Sequence, residues 1–260
     1  LLEQMTITLP IWIFLIMLAI TAFSISSRLL IPSVRWFFRR RINRLIDEIS
    51  THLDLGIRPF QLTKRKVLID RLAFDPKVME AIQTISREKG IPSDVLRAEA
   101  TTYAKEIVPS FNAYLYFRIG YWLAKRVARL MYRVRVDRVD NEKLAKVERD
   151  STVVFVMNHR SNMDYVLVAF LAMERTTLSY AVGEWARIWP LQSLIRAMGA
   201  FFVRRNSGNP LYRQLLERYI NMATREGVCQ AVFLEGGLSK DGKLRKPKFG
   251  LIDYMLRYYN

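Results

Sequence analysis

The sequence predicts an α/β fold with a largely parallel sheet flanked by helices, preceded by an α-helical region and one N-terminal transmembrane helix. Three observations support this prediction. An uncharged stretch lies near the start, helical patterns fill the first half, and after residue 150 short apolar strands alternate with helices. We place a transmembrane anchor at 1–32, a basic helical domain at 33–140 and the α/β domain at 141–260.

The composition indicates an anionic partner. The chain has 260 residues, is 51% hydrophobic and carries a formal net charge of +17. Cys229 is its only cysteine, which excludes an intrachain disulfide and a cysteine-rich metal site. A Walker P-loop, a G-x-G-x-x-G fingerprint and an H-E-x-x-H helix are all missing from the sequence. Nucleotide hydrolysis, dinucleotide binding and zinc proteolysis therefore lose their usual support.

The uncharged stretch is long enough to cross a bilayer. Ile7 to Ser27 contains 21 residues without a charge, and Pro10 lies near its start, where a helix tolerates proline. Arg28 and the segment WFFRRRINR, from Trp36 to Arg44, follow it. Basic residues on that side predict a cytoplasmic location for the rest of the chain. The alternative is a helix buried in a soluble protein.

The region after this stretch contains several sequence signals for the starts and ends of helices. Asp75-Pro76 has the pattern of an N-cap and first helical residue, and Gly90 marks the end of that helix. Pro92-Ser93 and Pro109-Ser110 begin two more helices. The last segment, Phe111–Arg135, combines aromatic and basic residues. It fits a helix on an anionic membrane surface or a solvated face of a helix bundle, and both interpretations stay open.

The second half alternates in the order expected for a parallel sheet. The predicted strands are Thr152–Met157, Leu178–Val182, Ala200–Val203 and Val228–Leu234. The predicted helical stretches are Asn162–Met173, Pro190–Ala197, Pro210–Arg225 and Phe249–Tyr259. Sites in such sheets lie beyond the carboxyl ends of the strands, and polar groups follow three of these four strands.

The first polar group contains His159 and, five residues later, Asp164. On one continuous helix they would stand roughly 140° apart, so they meet only if His159 lies in the turn before the helix and Asp164 in its first turns. Ser161 or Asn162 is a natural N-cap for that helix. An imidazole held by a carboxylate can draw a proton from a hydroxyl. The alternative is a corner with a purely structural histidine.

The other two polar groups suit an anionic ligand. Arg204 and Arg205 close the segment GAFFVRR, and guanidinium pairs bind phosphate well. The segment EGGLSKDGK, from Glu235 to Lys243, has glycines that let backbone N–H groups approach a ligand. A solvated strand end and an ordinary glycine-rich turn are the respective alternatives.

Together, NHRSNMDY (158–165), GAFFVRR (199–205) and FLEGGLS (233–239) resemble three ordered blocks of the glycerolipid acyltransferase family. The resemblance covers roughly 150–255, implies an acyltransferase-type sheet, and is strongest to the family's membrane-bound bacterial glycerol-3-phosphate acyltransferases. Leu238 stands where the third block has an arginine, and the basic residues that could replace its charge are Arg245, Lys246 and Lys248. A fourth block is missing, so we expect the chain to be truncated before it.

The resemblance implies acyl transfer from an acyl-CoA or acyl carrier protein thioester to the sn-1 hydroxyl of glycerol 3-phosphate, giving lysophosphatidate for phospholipid synthesis. It implies no cofactor and no metal. His159 is the implied general base, and Asp164 orients its ring. Backbone donors near the histidine turn, or Arg160, would stabilise the oxyanion. The implied substrate-binding residues are Arg160, Ser161, Arg204, Arg205, Glu235, Gly236, Gly237, Ser239 and Lys248.

Two alternatives to this function stay open. One is a lysophosphatidate acyltransferase, and the other is a non-catalytic basic protein that binds membrane surfaces or nucleic acid. If the chain acylates glycerol 3-phosphate, we expect glycerol 3-phosphate, the acyl donor and an anionic phospholipid membrane as its partners, and no nucleic acid. We expect a single-span or peripheral membrane location with the catalytic domain on the cytoplasmic face, as at a bacterial inner membrane.

Overall fold

The computed structural model divides into two compact units, Leu1–Glu48 and Ile49–Asn260. The residues it describes are 10–26, 33, 36, 40, 44, 57–135, 146–147, 151–161, 163–172, 176–204, 207–239 and 241–257. In the first unit, helix α1 spans Ile11–Ile25 and exposes most of its apolar side chains. Among the described residues, no helix has both the length and the apolarity needed to cross a bilayer. The predicted span, 7–27, extends past the described residues at both ends and stays a prediction.

The second unit begins with a layer of helices, two of which begin where the sequence predicts, at Asp75-Pro76 and at Pro92-Ser93. They are α2 Pro59–Leu62, α3 Arg65–Ala73, α4 Pro76–Lys89, α5 Ser93–Ile107 and, after a π-helical stretch Leu115–Gly120, α6 Tyr121–Met131. The Asp75 carboxylate accepts a hydrogen bond of 3.0 Å from the Lys77 backbone N–H and so caps α4. Gly90, with φ of 65°, ends that helix in the left-handed region, as predicted.

The predicted α/β alternation is confirmed. The strands are β1 Val154–Met157, β2 Ser179–Gly183, β3 Ala200–Val203 and β4 Gln230–Phe233. The helices between and after them are α7 Asp164–Ala172, α8 Leu191–Ala197, α9 Pro210–Arg225 and α10 Gly250–Leu256, with a 3-10 turn at Glu184–Ala186. The four strands form one parallel sheet in the order β1-β4-β2-β3.

Apolar side chains bury both faces of this sheet. Phe201 and Val232 join the core formed with α3, α4, α5 and α9, while Ala231 packs on the opposite face with the α7 residues Val168 and Ala172. Helices from the first half of the chain therefore share a core with the sheet. The predicted domain boundaries after residues 32 and 140 lie outside the described residues and stay predictions.

The strand register fixes which residues meet at the carboxyl edge of the sheet. Met157 at the end of β1 pairs with Phe233 at the end of β4. His159 and Glu235 therefore each lie two residues beyond a register pair, on strands that are about 5 Å apart. The register also pairs Gly183 with Val203, so Arg204 begins beyond the end of β3 on the same edge.

Candidate active site

His159 and Asp164 are in contact at the carboxyl end of β1. The distance from His159 Nδ1 to Asp164 Oδ2 is 3.1 Å. A carboxylate can only accept hydrogen bonds, so Nδ1 donates and Nε2 carries the lone pair. His159 lies in the turn and Asp164 is the first residue of α7, as the spacing predicts. The Ser161 hydroxyl oxygen accepts a 3.1 Å hydrogen bond from the backbone N–H of Met163, the residue just before this helix, and the predicted N-cap role of Ser161 or Asn162 stays a prediction.

The Asp164 carboxylate also holds the backbone of the turn. Its Oδ2 atom accepts hydrogen bonds from the backbone N–H groups of Arg160, at 2.7 Å, and Ser161, at 2.8 Å. These two N–H groups are therefore already used, and the expectation that they serve as oxyanion donors lacks support. The other group that was expected to stabilise the oxyanion is the side chain of Arg160, which is exposed.

Aromatic rings enclose the imidazole. The Phe233 ring stacks on His159 at a centroid distance of 4.4 Å, and the Tyr165 ring meets it edge-on at 5.2 Å. His159 is only 4% exposed. The two rings and the Asp164 hydrogen bond leave the imidazole little freedom to rotate. A base fixed in this way needs little reorganisation when it accepts a proton.

The loop after β4 is tied to the histidine turn. The Ser239 backbone N–H donates a 2.9 Å hydrogen bond to the His159 carbonyl. The Ser239 hydroxyl oxygen lies 2.7 Å from the Lys243 carbonyl and 3.1 Å from the Asp241 carboxylate, so it stabilises its own loop. The sequence predicts Ser239 as a substrate-binding residue, and that role stays a prediction beside these contacts within the loop.

Glu235 is buried without a hydrogen-bond partner. Glu235 is only 6% exposed, and neither of its carboxylate oxygens has a hydrogen-bond partner among the described residues. A buried, unpaired carboxyl group destabilises a folded chain unless a ligand supplies donors. Glu235 lies beside His159 at the ends of adjacent strands, as derived from the register. The position suits an acceptor for ligand hydroxyl groups.

Gly236 and Lys248 lie against each other in the same loop. Gly236 has φ of +62°, and a Cβ atom there would approach the Lys248 Cδ atom to 2.9 Å. The Lys248 backbone N–H donates a 2.7 Å hydrogen bond to the Leu234 carbonyl. The loop thus brings the stem of Lys248 against Gly236, two residues before Leu238, which stands where the family has an arginine. A Cβ atom at Gly237 would have no neighbour within 4 Å among the described residues.

Arg204 makes contacts of a different kind at the end of β3. Its Nε and Nη2 atoms donate hydrogen bonds of 2.9 and 2.6 Å to the two carboxylate oxygens of Glu106, at the end of α5. Arg187 also donates to this carboxylate. Burial raises the pKa of Glu106, but the hydrogen bonds from Arg204 and Arg187 outweigh it and hold the pKa below its usual value. Arg205 lies outside the described residues, so its predicted phosphate contact stays a prediction.

Sequence reasoning missed the contribution of Glu106, Phe233 and Tyr165 to this edge. Phe233 precedes the recognised Leu234-Glu235 pair and Tyr165 follows Asp164, so their places beside the motifs offered a signal. Glu106 offered none, because 98 residues separate it from Arg204. Among the described residues, no group of three or more His, Cys, Asp and Glu side chains has the arrangement of a metal site.

The parallel sheet carries the His159–Asp164 pair at its carboxyl edge, so an imidazole and a carboxylate lie in hydrogen-bond contact where sites of α/β folds occur. The acyltransferase family pattern matches residues 121–259. This match covers more than half of the 260 residues, and the chain belongs to the acyltransferase family. The predicted resemblance to glycerolipid acyltransferases is therefore confirmed.

The chain is also similar to proteins named glycerol-3-phosphate acyltransferase. One from Xanthomonas campestris pv. campestris is 34% identical over 228 residues, which cover 85% of this chain and 25% of the relative. One from Actinobacillus succinogenes is 29% identical over 201 residues, which cover 76% of this chain and 24% of the relative. The chain thus spans about a quarter of the length of the curated relatives it matches.

Proposed function

We propose that this chain transfers an acyl group from an acyl-CoA or acyl carrier protein thioester to the sn-1 hydroxyl of glycerol 3-phosphate. The observation that carries the proposal is the buried His159–Asp164 pair beside the unpartnered carboxylate of Glu235. The names of the similar proteins from Xanthomonas and Actinobacillus support the choice of acceptor. The product is lysophosphatidate, which enters phospholipid synthesis.

The reaction needs one base and no covalent intermediate on the protein. The Nε2 atom of His159 accepts the proton of the sn-1 hydroxyl as its oxygen attacks the thioester carbonyl carbon. Asp164 stabilises the imidazolium that forms. When the tetrahedral intermediate collapses, the C–S bond breaks and the imidazolium returns the proton to the departing thiolate. Cys229 is buried, at 2% exposure, and takes no part as a nucleophile.

Two groups of residues hold the acceptor in this proposal. The Glu235 carboxylate accepts hydrogen bonds from glycerol hydroxyl groups, which satisfies its unpartnered oxygens. Arg205 and Lys248 contribute charge to the phosphate group. Arg204 already forms a paired contact with Glu106 and acts mainly by fixing the end of β3. Arg160 offers its exposed guanidinium to the oxyanion.

We further propose that the protein works at a membrane, with the α/β domain on the cytoplasmic face. The 21 uncharged residues from Ile7 to Ser27 and the basic cluster after them support this location. The acyl donor carries an apolar chain, and the product is a lipid. We therefore expect detergent or lipid to be required for solubility. We also expect that deleting residues 1–32 weakens the attachment of the chain to membranes.

A thiol-release assay tests the reaction. The chain, in detergent, receives an acyl-CoA with glycerol 3-phosphate, with lysophosphatidate or with no acceptor. We expect release to depend on glycerol 3-phosphate. Release that depends only on lysophosphatidate would replace the proposed acceptor, and a measurement of thermal stabilisation by glycerol 3-phosphate separates binding from turnover. Failure of glycerol 3-phosphate both to stabilise the chain and to stimulate thiol release would refute the proposal.

A further inference from the structure

The outward face of helix α6 is both apolar and basic. Leu130 is 85% exposed, and Trp122 and Leu123 are exposed as well. Arg126 and Arg129 lie four and seven residues after Trp122, so helical spacing places all three on one side. The Arg126 guanidinium lies 5.8 Å from the centre of the Trp122 ring. Large apolar side chains and cations therefore share one solvent-facing surface.

The charged residues of the segment that contains α6 have a single sign. Residues 107–136 include six basic side chains and no acidic one: Arg118, Lys125, Arg126, Arg129, Arg133 and Arg135. Elsewhere in the second unit, arginines pair with carboxylates, as Arg204 does with Glu106 and Arg218 with Asp75. The sequence around α6 supplies no such carboxylate, which leaves it suited to an external anionic surface.

The opposite face of α6 packs near the catalytic residues. Ala124 and Ala128 are buried, and the core around Ala124 includes Ala169 and Phe170 of α7. Helix α7 begins at Asp164, the residue that holds His159. Because α6 packs directly on α7, only the thickness of α6 separates a surface that contacts its outward face from the helix that begins at Asp164.

We propose that the outward face of α6 docks onto the surface of an anionic phospholipid bilayer. Trp122, Leu123 and Leu130 enter the boundary between headgroups and acyl chains, and Arg126 and Arg129 contact lipid phosphates. Cations interleaved with a tryptophan and leucines match a surface that is anionic outside and apolar beneath. This contact is separate from the predicted N-terminal span. It orients the second unit on the membrane and does not depend on the identity of the acyl acceptor.

A probe on the helix tests the docking independently of membrane attachment by other segments. The intact chain with Leu130→Cys carries an environment-sensitive fluorophore and is reconstituted into phosphatidylcholine vesicles with or without phosphatidylglycerol. Val95→Cys, at an exposed position on α5, is the matched control. We expect spin-labelled lipids to quench the probe at position 130, and only when phosphatidylglycerol is present, and to leave position 95 unquenched. No quenching at position 130, or equal quenching at both positions, would overturn the proposal.

Charge reversal sharpens the test. Arg126→Glu with Arg129→Glu should lower the ratio of docked to free probe roughly 30-fold or more, since each basic residue contributes roughly fivefold at an anionic surface. Lys64→Glu with Lys66→Glu changes the net charge equally on another surface and should leave the ratio unchanged. Equal losses in both pairs would reduce the effect to bulk charge. A probe response to an acidic carrier protein without vesicles would assign the face to a protein partner instead.

Discussion

At the carboxyl ends of β1 and β4, His159 and Glu235 are buried and keep polar atoms that a ligand can use. At the ends of β2 and β3, Arg187 and Arg204 are less buried, and both donate to Glu106 of α5. Polar residues after parallel strands thus have two roles on one sheet edge. The partners of each side chain distinguish them. Both Glu235 oxygens lack a partner among the described residues and His159 is paired only through Nδ1, whereas Arg187 and Arg204 join two layers of the fold.

Substitution of His159, the proposed base, should have the largest effect on acyl transfer. His159→Ala should lower acyl transfer by roughly 10²–10⁴-fold, the usual contribution of a general base. The variant should keep its circular dichroism spectrum, while the loss of a buried, stacked ring lowers its thermal midpoint. Asp164→Asn should also reduce the rate, because an amide favours the wrong tautomer of the imidazole. A folded His159→Ala chain with near-parental transfer would remove His159 as the base.

Glu235 should respond to substitution with activity and stability moving in opposite directions. Glu235→Gln should lower kcat/KM for the acceptor about 10- to 100-fold, since a hydrogen bond to a charged group contributes about 1.5–3 kcal/mol. The same change should leave the urea midpoint unchanged or raise it, because an unpaired buried carboxylate is lost. A fall in stability without a loss of activity would show that Glu235 has a structural role, like Arg187 and Arg204, and does not bind the acceptor.

Glu106 should behave in the opposite way to Glu235. Glu106→Gln should reduce the free energy of unfolding by about 2 kcal/mol at neutral pH, because Arg187 and Arg204 lose their anionic partner. The folded pKa of Glu106 lies below its usual value of 4.5. Its contribution is therefore complete above about pH 4.5 and is lost as the pH falls through the folded pKa. Urea titrations from pH 7 to pH 3 should show a smaller acid loss in Glu106→Gln than in the parent.

The two neighbouring arginines of GAFFVRR should separate these roles within one motif. Arg205→Ala should raise the apparent KM for glycerol 3-phosphate about tenfold and move the donor KM much less, with only partial rescue by Arg205→Lys. Arg204→Ala should instead lower stability, and combining it with Glu106→Gln should add little further loss, since the two changes break the same contact. Additive stability losses, or equal kinetic effects from both arginines, would contradict this division.

The difference between the ends of β1 and β4 and the ends of β2 and β3 also explains how much of the site could be predicted from the sequence. The strands and the His159–Asp164 pair were predictable because short apolar runs and a five-residue spacing are local signals. The partner of Arg204 was not, because Glu106 reaches it only through the packing of α5 against the sheet. Likewise, the spacing that brings Asp164 to His159 does not reveal that the same carboxylate occupies the N–H groups of Arg160 and Ser161.

The smallest effect is expected at Lys248, which tests whether the edge replaces the arginine absent at Leu238. Its stem lies over Gly236, and methionine preserves much of that stem while removing the charge. Because the side chain is exposed, its charge should contribute about 0.2–1 kcal/mol, so Lys248→Met should raise the KM for glycerol 3-phosphate only about two- to fivefold. Lys246→Met, two residues earlier, tests the competing candidate, and it should leave this KM unchanged if Lys248 is the residue that replaces the arginine. The Lys248 effect should shrink with added salt, because an exposed charge is screened. KM values equal to that of the parent for both Lys246→Met and Lys248→Met would place the compensating charge elsewhere, and Arg245→Met would then be the next variant to measure. A raised KM for Lys246→Met alone would assign the charge to Lys246.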